Sequence, residues 1–117
     1  MGSNYREVTG ILLLAAGDMS LSTVSSAALE LKGYNSASFH FSWLGLSGSA
    51  IGSLKVEGSP DGLLNWSDMG ISIIGPASND SNDLVDFQRI GVPYVRLTYT
   101  KTSGAGTLRV IGNKKGC

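Results

Sequence analysis

The sequence predicts an all-β protein: an antiparallel β-sandwich, jelly-roll-like, with about eight short strands. The first observation is that apolar and polar residues alternate over several short segments, which is the period of a half-buried strand. The second is that glycine-containing turn segments separate them every 8–12 residues or so, a spacing typical of sandwiches and barrels. The third is that no helical period extends far enough for a stable helix.

Two segments give the clearest strands, ASFHFSW at 37–43 and YVRLTYT at 94–100. In the first, every second residue is alanine or aromatic, and the residues between them are serine or histidine. In the second, every second residue from Val95 onward is apolar or aromatic. Each segment is therefore expected to bury one face and to expose the other.

The remaining segments are shorter or alternate less regularly. Further strands are predicted at residues 7–16, 27–32, 53–57, 69–74, 84–90 and 107–111, with a single helical turn as the alternative for 84–90. Loops are predicted at residues 45–49, 77–83 and 103–106, and residues 21–26 are either extended or a short connection. The last of these loops predicts a closing hairpin over 94–112, which is the first pairing we expect.

Residues 52–69, GSLKVEGSPDGLLNWSDM, predict a strand, a tight turn and an aromatic anchor. Pro-Asp-Gly is turn chemistry, because proline fixes φ, aspartate bonds nearby backbone groups and glycine accepts a positive φ. After the turn, Trp66 is expected to return to the face that Leu54 and Val56 bury.

Length and charge limit the organisation and the partners. The chain has 117 residues, which predicts one domain at 7–112 with an N-terminal arm at 1–6 and a basic C-terminal tail at 113–117. Nine basic and nine acidic residues cancel, so no nucleic-acid partner is expected. The longest apolar run, residues 11–16, is far shorter than the ~20 residues of a membrane span, so no membrane partner is expected.

The sequence offers little to catalysis or metal binding. His40 is the only histidine and lies within a predicted strand, and the only cysteine is Cys117. A zinc site needs three or four Cys, His or carboxylate ligands, and a Ser-His-Asp site needs its histidine beside a nucleophile. Residues 79–83 carry enough oxygens for calcium, but a solvated polar loop is the favoured interpretation. We therefore expect no enzymatic activity, no metal site and no cofactor.

The segments GSLKVEGSPDGLLNWSDM and VPYVRLTYTKTSGAGTLRV resemble small β-sandwich proteins encoded by tailed double-stranded DNA phages, over residues 29–112. The resemblance implies a virion component: a capsid decoration, cement or staple protein on the capsid surface, made in the host cytoplasm. It would bind the major capsid protein and assemble as a dimer or trimer. Similar units occur in discoidin-like and other carbohydrate-binding sandwiches, so the alternative is a carbohydrate- or receptor-binding module of a phage tail or fibre.

Candidate partner-binding residues are tyrosines outside the predicted core and basic residues of the strands and terminal segments, since such side chains suit the rim of an interface. They are Tyr5, Arg6, Tyr34, His40, Tyr94, Arg96, Lys114 and Lys115.

Overall fold

The structure, a computed structural model, describes residues 6–32, 34, 36–75, 81–88 and 92–116. These residues form seven antiparallel strands and confirm the predicted all-β class, although two strands are much longer than expected. The strands are β1 (Arg6–Asp18), β2 (Thr23–Ser25), β3 (Leu29–Glu30), β4 (Ser36–Ser59), β5 (Ser67–Gly75), β6 (Ser81–Gln88) and β7 (Tyr94–Gly116).

The two long strands, β4 and β7, pair with each other to form a two-stranded ribbon. They contain 24 and 23 residues, whereas strands usually have about 3–10. Their pairing runs from Ser36 opposite Lys115 to Ser59 opposite Tyr94, with register shifts between Leu44 and Gly52. The ribbon is therefore the central element of the whole sheet.

The ribbon divides into two arms joined by a bend. The first arm pairs residues 36–44 with 107–115, and β1 and β6 extend it on either side. The second arm pairs residues 52–59 with 94–101, and β2, β3 and β5 extend it. The bend comprises the residues of β4 and β7 between the two arms.

The two arms face each other across a single apolar core, which makes them the two layers of the sandwich. Trp43 of the first arm meets Tyr99 of the second edge to face, with ring centroids 5.8 Å apart. Phe41 packs on the other side of Trp43 at 5.5 Å. The buried core residues are Leu13, Met19, Leu29, Leu31, Ala37, Phe39, Phe41, Trp43, Leu54, Val56, Val95, Leu97, Tyr99, Leu108 and Val110.

The alternation of buried residues changes phase at the bend. In β4 the buried side chains are odd-numbered in the first arm, such as Phe41, and even-numbered in the second, such as Leu54. In β7 the buried apolar side chains are odd-numbered in the second arm, such as Leu97, and even-numbered in the first, such as Val110. Each strand has one left-handed glycine in the bend, Gly45 with φ 61° and Gly104 with φ 81°. Such a residue produces a bulge that shifts the alternation by one, so that both arms keep their apolar face toward the core.

The loops predicted at residues 45–49 and 103–106 are wrong, because both segments lie inside continuous strands. Their glycines serve bulges rather than turns, since the partner strand continues alongside. The predicted closing hairpin is wrong for the same reason: its two halves form one strand, with one half in each layer.

Strand pairing also extends beyond both ends of the predicted domain, which were placed at residues 7 and 112. Arg6, predicted to end a polar arm, begins β1 opposite Gly116. Residues 113–116, predicted as a basic tail, end β7, because β1 and β4 supply their hydrogen-bond partners. Of the predicted polar loop, residues 77–80 lie outside the described residues and 81–83 begin β6. Residues 84–88 form strand and not helix, as the first of the two alternatives predicted.

Candidate interaction surface

The two ends of β7 meet at the end of the molecule opposite the bend. Tyr94 begins β7 and Lys114 lies near its other end, yet both bond to Glu30 of β3. The Tyr94 hydroxyl donates to Glu30 Oε2 at 3.2 Å, and Lys114 Nζ donates to the Glu30 carbonyl oxygen at 2.6 Å. We call this region, with Lys32 and Tyr34, the open end.

Lysines cover the tyrosine rings of the open end. Lys114 Nζ lies 4.5 Å from the centroid of the Tyr34 ring, and Lys32 Nζ lies 5.7 Å from that of Tyr94. Lys32 also lies 3.8 Å from Glu30 Oε2, with both side chains more than half exposed. Exposed pairs of this kind contribute about 1 kcal/mol or less to stability. Their main effect here is to hold tyrosine and lysine side chains in place at the surface.

Residues 59–65, which we call the leucine turn, adjoin the open end. The Ser59 hydroxyl is buried and accepts hydrogen bonds from the backbone amides of Asp61 and Gly62 at 3.2 and 3.0 Å. Its single proton serves one of two acceptors, Leu64 O at 2.7 Å or Asp61 Oδ1 at 2.9 Å. Asp61 Oδ1 accepts from the amides of Leu63 and Leu64 at 3.0 and 3.1 Å. These hydrogen bonds, first that from Leu63, lower the pKa of Asp61 and keep it ionised.

The turn reverses the chain and leaves two leucines in solvent. Gly62 and Asn65 are left-handed, with φ 73° and 63°. Leu63 and Leu64 are 78% and 71% exposed. A Cβ placed on Gly62 would lie 2.9 Å from the Tyr94 ring, so the turn rests directly on a tyrosine of the open end.

Trp66 does not join the core, and that prediction is wrong. It is half-buried on the outer face of the second arm, where the Arg96 guanidinium lies 4.3 Å from its ring centroid. Arg96 Nε donates to Glu57 Oε1 at 2.8 Å. Strand alternation explains the placement, because Glu57 and Arg96 point away from the core that Val56 and Leu54 fill.

Glu57 anchors this outer face as a carboxylate. Burial raises its pKa, but hydrogen bonds from Thr98 and Arg96, together with the positive charges of Arg96 and Lys55, lower it below its ordinary value. The Thr98 hydroxyl donates to Glu57 Oε1 at 2.6 Å. Arg96 is therefore held by a charged partner at neutral pH, with its guanidinium over Trp66.

The structure brings three of the predicted residues together: Tyr34, Tyr94 and Lys114. Arg96 lies beside them on the outer face of the second arm. His40 and Lys115 are exposed on the first arm, opposite Ile111 and Glu7 in neighbouring strands. Arg6 is placed only as the start of β1, and Tyr5 lies outside the described residues.

Sequence reasoning did not select Glu30, Lys32, Leu63 or Leu64 for this surface. Two adjacent leucines directly after Pro-Asp-Gly were a usable signal, because a turn seldom buries both side chains. Glu30 and Lys32 gave no such signal, since Glu30 bonds to residues 64 and 84 positions away and Lys32 lies over the ring of Tyr94, which is also distant in the sequence.

The described ranges show neither a metal site nor a membrane-spanning helix. No three or more of their His, Cys, Asp and Glu side chains are grouped so that they could hold a metal ion. No helix within them is long and apolar enough to cross a bilayer.

No family model matches the sequence, and no curated protein matches it either. Solved structures share the fold at low identity. The SPBc2 prophage-derived protein YomS aligns with TM-score 0.61 and 14% identity over 99% of this chain and 98% of its own. The PBSX exported protein XepA aligns with TM-score 0.54 and 17% identity over 100% of this chain and 39% of its own. Latent PorU from Porphyromonas gingivalis aligns with TM-score 0.54 and 12% identity over 96% of this chain and 13% of its own. The chain thus shares its fold with phage-derived proteins.

Proposed function

We propose that this chain is a non-enzymatic structural protein of a phage virion, of the capsid decoration or cement type. It binds the outside of the major capsid protein shell and bridges neighbouring subunits. The observation that carries the proposal is the leucine turn: two exposed leucines on a rigid frame beside two tyrosines and two lysines. A fold shared with phage-derived proteins supports it.

The chemistry of the open end suits contact with a protein. Interfaces are enriched in tyrosine and arginine, and their energy concentrates in a few large side chains that become fully desolvated. Tyr34 and Tyr94 supply such rings, and Leu63 and Leu64 supply apolar area beside them. None of these four side chains is fully buried within the described residues, so each keeps some surface for a partner to contact.

The ribbon suits a protein that must resist mechanical load. Both layers are built on the same two strands, so separating the layers requires breaking β4–β7 pairing or the core between the arms. The zero formal net charge also allows identical copies to sit close together with little repulsion.

The alternative, a carbohydrate- or receptor-binding module of a tail or fibre, would use the exposed aromatics to stack sugars. Here Arg96 lies over the Trp66 ring and Lys114 over the Tyr34 ring. A sugar would have to displace a cation, or use the opposite ring face. Leu63 and Leu64, which offer exposed apolar area but no ring for a sugar to stack on, favour the protein interface over the sugar platform.

The test is to locate the chain in purified particles of a phage that encodes it. Quantitative mass spectrometry should find it in fixed proportion to the major capsid protein, and cryo-electron microscopy should place it outside the shell at subunit junctions. Absence from the particles would refute a virion role. Density confined to the tail would refute decoration, and a glycan-binding screen with saturable binding would then support the alternative.

A further inference from the structure

We infer that the leucine turn is the attachment anchor, and that Leu63 and Leu64 insert into an apolar pocket on the shell protein. The inference rests on the proposed function and adds the contact residues and the chemistry of the partner site. Within the described residues, these are the two most exposed large apolar side chains, and they are adjacent.

The backbone of the turn is prepared for a dry environment. Four of its amides, those of residues 61–64, are hydrogen-bonded to Ser59 Oγ or Asp61 Oδ1. The Leu64 carbonyl lies within hydrogen-bond distance of the Ser59 hydroxyl. Burying an unpaired amide or carbonyl would oppose binding, but these groups keep their partners when water is removed.

The turn also holds its shape before binding. The Ser59 hydroxyl is fixed in the protein interior, and Gly62 rests on the Tyr94 ring. The left-handed Gly62 and Asn65 set the path of the chain on either side of the leucines. Little conformational freedom is therefore lost when the two side chains enter a pocket, which strengthens binding.

The charges of this segment favour a protein pocket over a lipid surface, since the lysines of the adjoining open end, Lys32 and Lys114, already contact Glu30 and the tyrosine rings. Between residues 59 and 68 the only charged side chains are Asp61 and Asp68, both acidic. Membrane-anchoring segments usually combine apolar residues with lysine or arginine, which anionic lipids attract. The partner pocket should accordingly have an apolar floor and a neutral or basic rim where it faces Asp61.

The first experiment complements a phage lacking the gene with wild type, Leu63→Ser, Leu64→Ser and the double variant. The matched control is Leu21→Ser, a 52%-exposed leucine in the turn after β1. The amount of chain on purified particles is measured relative to the major capsid protein. We expect each single variant to fall about tenfold, the double variant to reach background and the control to match wild type.

The outcomes separate the two proposals. If wild type is absent from particles, the proposed function fails and the anchor fails with it. If wild type is present and the double variant is retained equally, only the anchor is refuted. Thermal unfolding of each purified variant confirms that lost attachment does not reflect lost folding.

A second experiment identifies what the turn touches. A photo-crosslinking benzoylphenylalanine at position 63, with position 21 as control, is irradiated in intact particles. Crosslinks from position 63 to apolar peptides of the shell protein support the anchor. Crosslinks only to a second copy of this chain would overturn it, as would Leu63-dependent co-sedimentation of the purified chain with phosphatidylglycerol vesicles.

Discussion

Left-handed residues occur both at the bend of the ribbon and in the leucine turn beside the open end, but they affect the path of the chain differently. At the bend, Gly45 and Gly104 are left-handed, but each strand continues because its partner continues beside it. At the leucine turn, left-handed Gly62 and Asn65 reverse the chain, and side chains of Ser59 and Asp61 replace the missing strand partner. A left-handed residue thus marks a break in alternation, and its neighbours decide whether that break is a bulge or a turn.

The two regions also differ in what holds them. The bend lies against the core: the amide of buried Met19 donates to the Gly106 carbonyl at 2.9 Å, and next to the bend, where the second arm begins, the Tyr99 ring passes over Gly52. The open end is held by one exposed ion pair, between Lys32 and Glu30, and by lysines over two tyrosine rings, and the leucine turn lies against it. Substitutions near the bend should therefore affect folding, and substitutions at the open end should affect attachment.

The two tryptophans give the largest contrast. Trp43 packs between Phe41 and Tyr99 in the core beside the bend, and Trp43→Ala should lower the free energy of unfolding by about 4 kcal/mol. Trp66 is half-buried under Arg96, and Trp66→Ala should cost about 1 kcal/mol. Chemical denaturation of both variants measures the difference. Equal losses would contradict the assignment of Trp66 to the outer face.

The next largest effect is expected at Gly52. A Cβ there would collide with the Tyr99 hydroxyl and lie 2.5 Å from the Thr100 carbonyl oxygen, so Gly52→Ala should cost about 3 kcal/mol. The control is Gly10→Ala, where the added Cβ meets nothing within 4 Å and only the positive φ costs about 1 kcal/mol.

Tyr99→Phe distinguishes the two contacts of a Cβ at position 52, that with the Tyr99 hydroxyl and that with the Thr100 carbonyl oxygen. The hydroxyl is buried without a hydrogen-bond partner among the described residues, and burial raises the pKa of Tyr99. Its removal should leave stability unchanged or raise it by up to about 1 kcal/mol, and should partly relieve Gly52→Ala. Additive effects in the double variant would show that the hydroxyl is not the obstacle.

The charged pair beside the open end predicts a pH dependence. Glu57→Gln should cost about 1.5 kcal/mol at pH 7, because Arg96 and Thr98 lose a charged acceptor. Since the folded-state pKa of Glu57 is lowered, its stabilisation is full above the ordinary value of 4.5 and is lost as pH falls through the folded value.

Denaturation from pH 7 to pH 3 measures this effect as the difference between wild type and Glu57→Gln. The lowered pKa values of Asp18 and Asp61 are present in both proteins, so their contributions cancel in the difference. A difference that stays constant, or widens, toward pH 3 would refute the role given to Glu57.

A smaller effect is expected from the left-handed glycine of the bend. Gly45→Ala should cost about 1 kcal/mol, because an added Cβ meets no atom within 4 Å and only the backbone conformation is strained. Gly45→Asn should cost less, since asparagine tolerates this conformation better. Thermal unfolding compares the three proteins, and an asparagine variant less stable than the alanine variant would argue against the bulge.

The smallest effect on folding is expected at the tip of the leucine turn. Leu63→Ser should change the free energy of unfolding by less than about 0.5 kcal/mol, because the side chain is mostly in solvent already. The same denaturation assay checks this value. A loss above 1 kcal/mol would mean that Leu63 packs against the fold and is not presented to a partner.

The predictions that held depended on short-range patterns. Alternation over residues 37–43 and 94–100 correctly assigned the faces of both strands, because successive side chains of any strand point to opposite sides. The turn after Ser59 was correct because Pro-Asp-Gly contains its own hydrogen-bonding groups and its own left-handed residue. Tyr34 and Tyr94 lie outside the buried core, as expected, while their role in binding a partner stays a prediction.

The predictions that failed depended on which segments lie side by side. Residues 45–49 and 103–106 contain the same glycine and serine as a real loop, and only their pairing with each other makes them strand. Trp66 is a large aromatic residue of the kind that usually packs in a core, but the turn places it on the outer face, where Arg96 lies.

By itself, the sequence determined the all-β class, the buried faces of residues 37–43 and 94–100, and the turn after Ser59. Each follows from the two-residue period of a strand or from the conformational preferences of a few adjacent residues. Tertiary structure alone decided that β4 and β7 form one folded ribbon and that Lys114 reaches Glu30, 84 positions away. Strand pairing and surface clusters join distant residues, and their free energy depends on the partner that folding brings alongside, which no local pattern specifies.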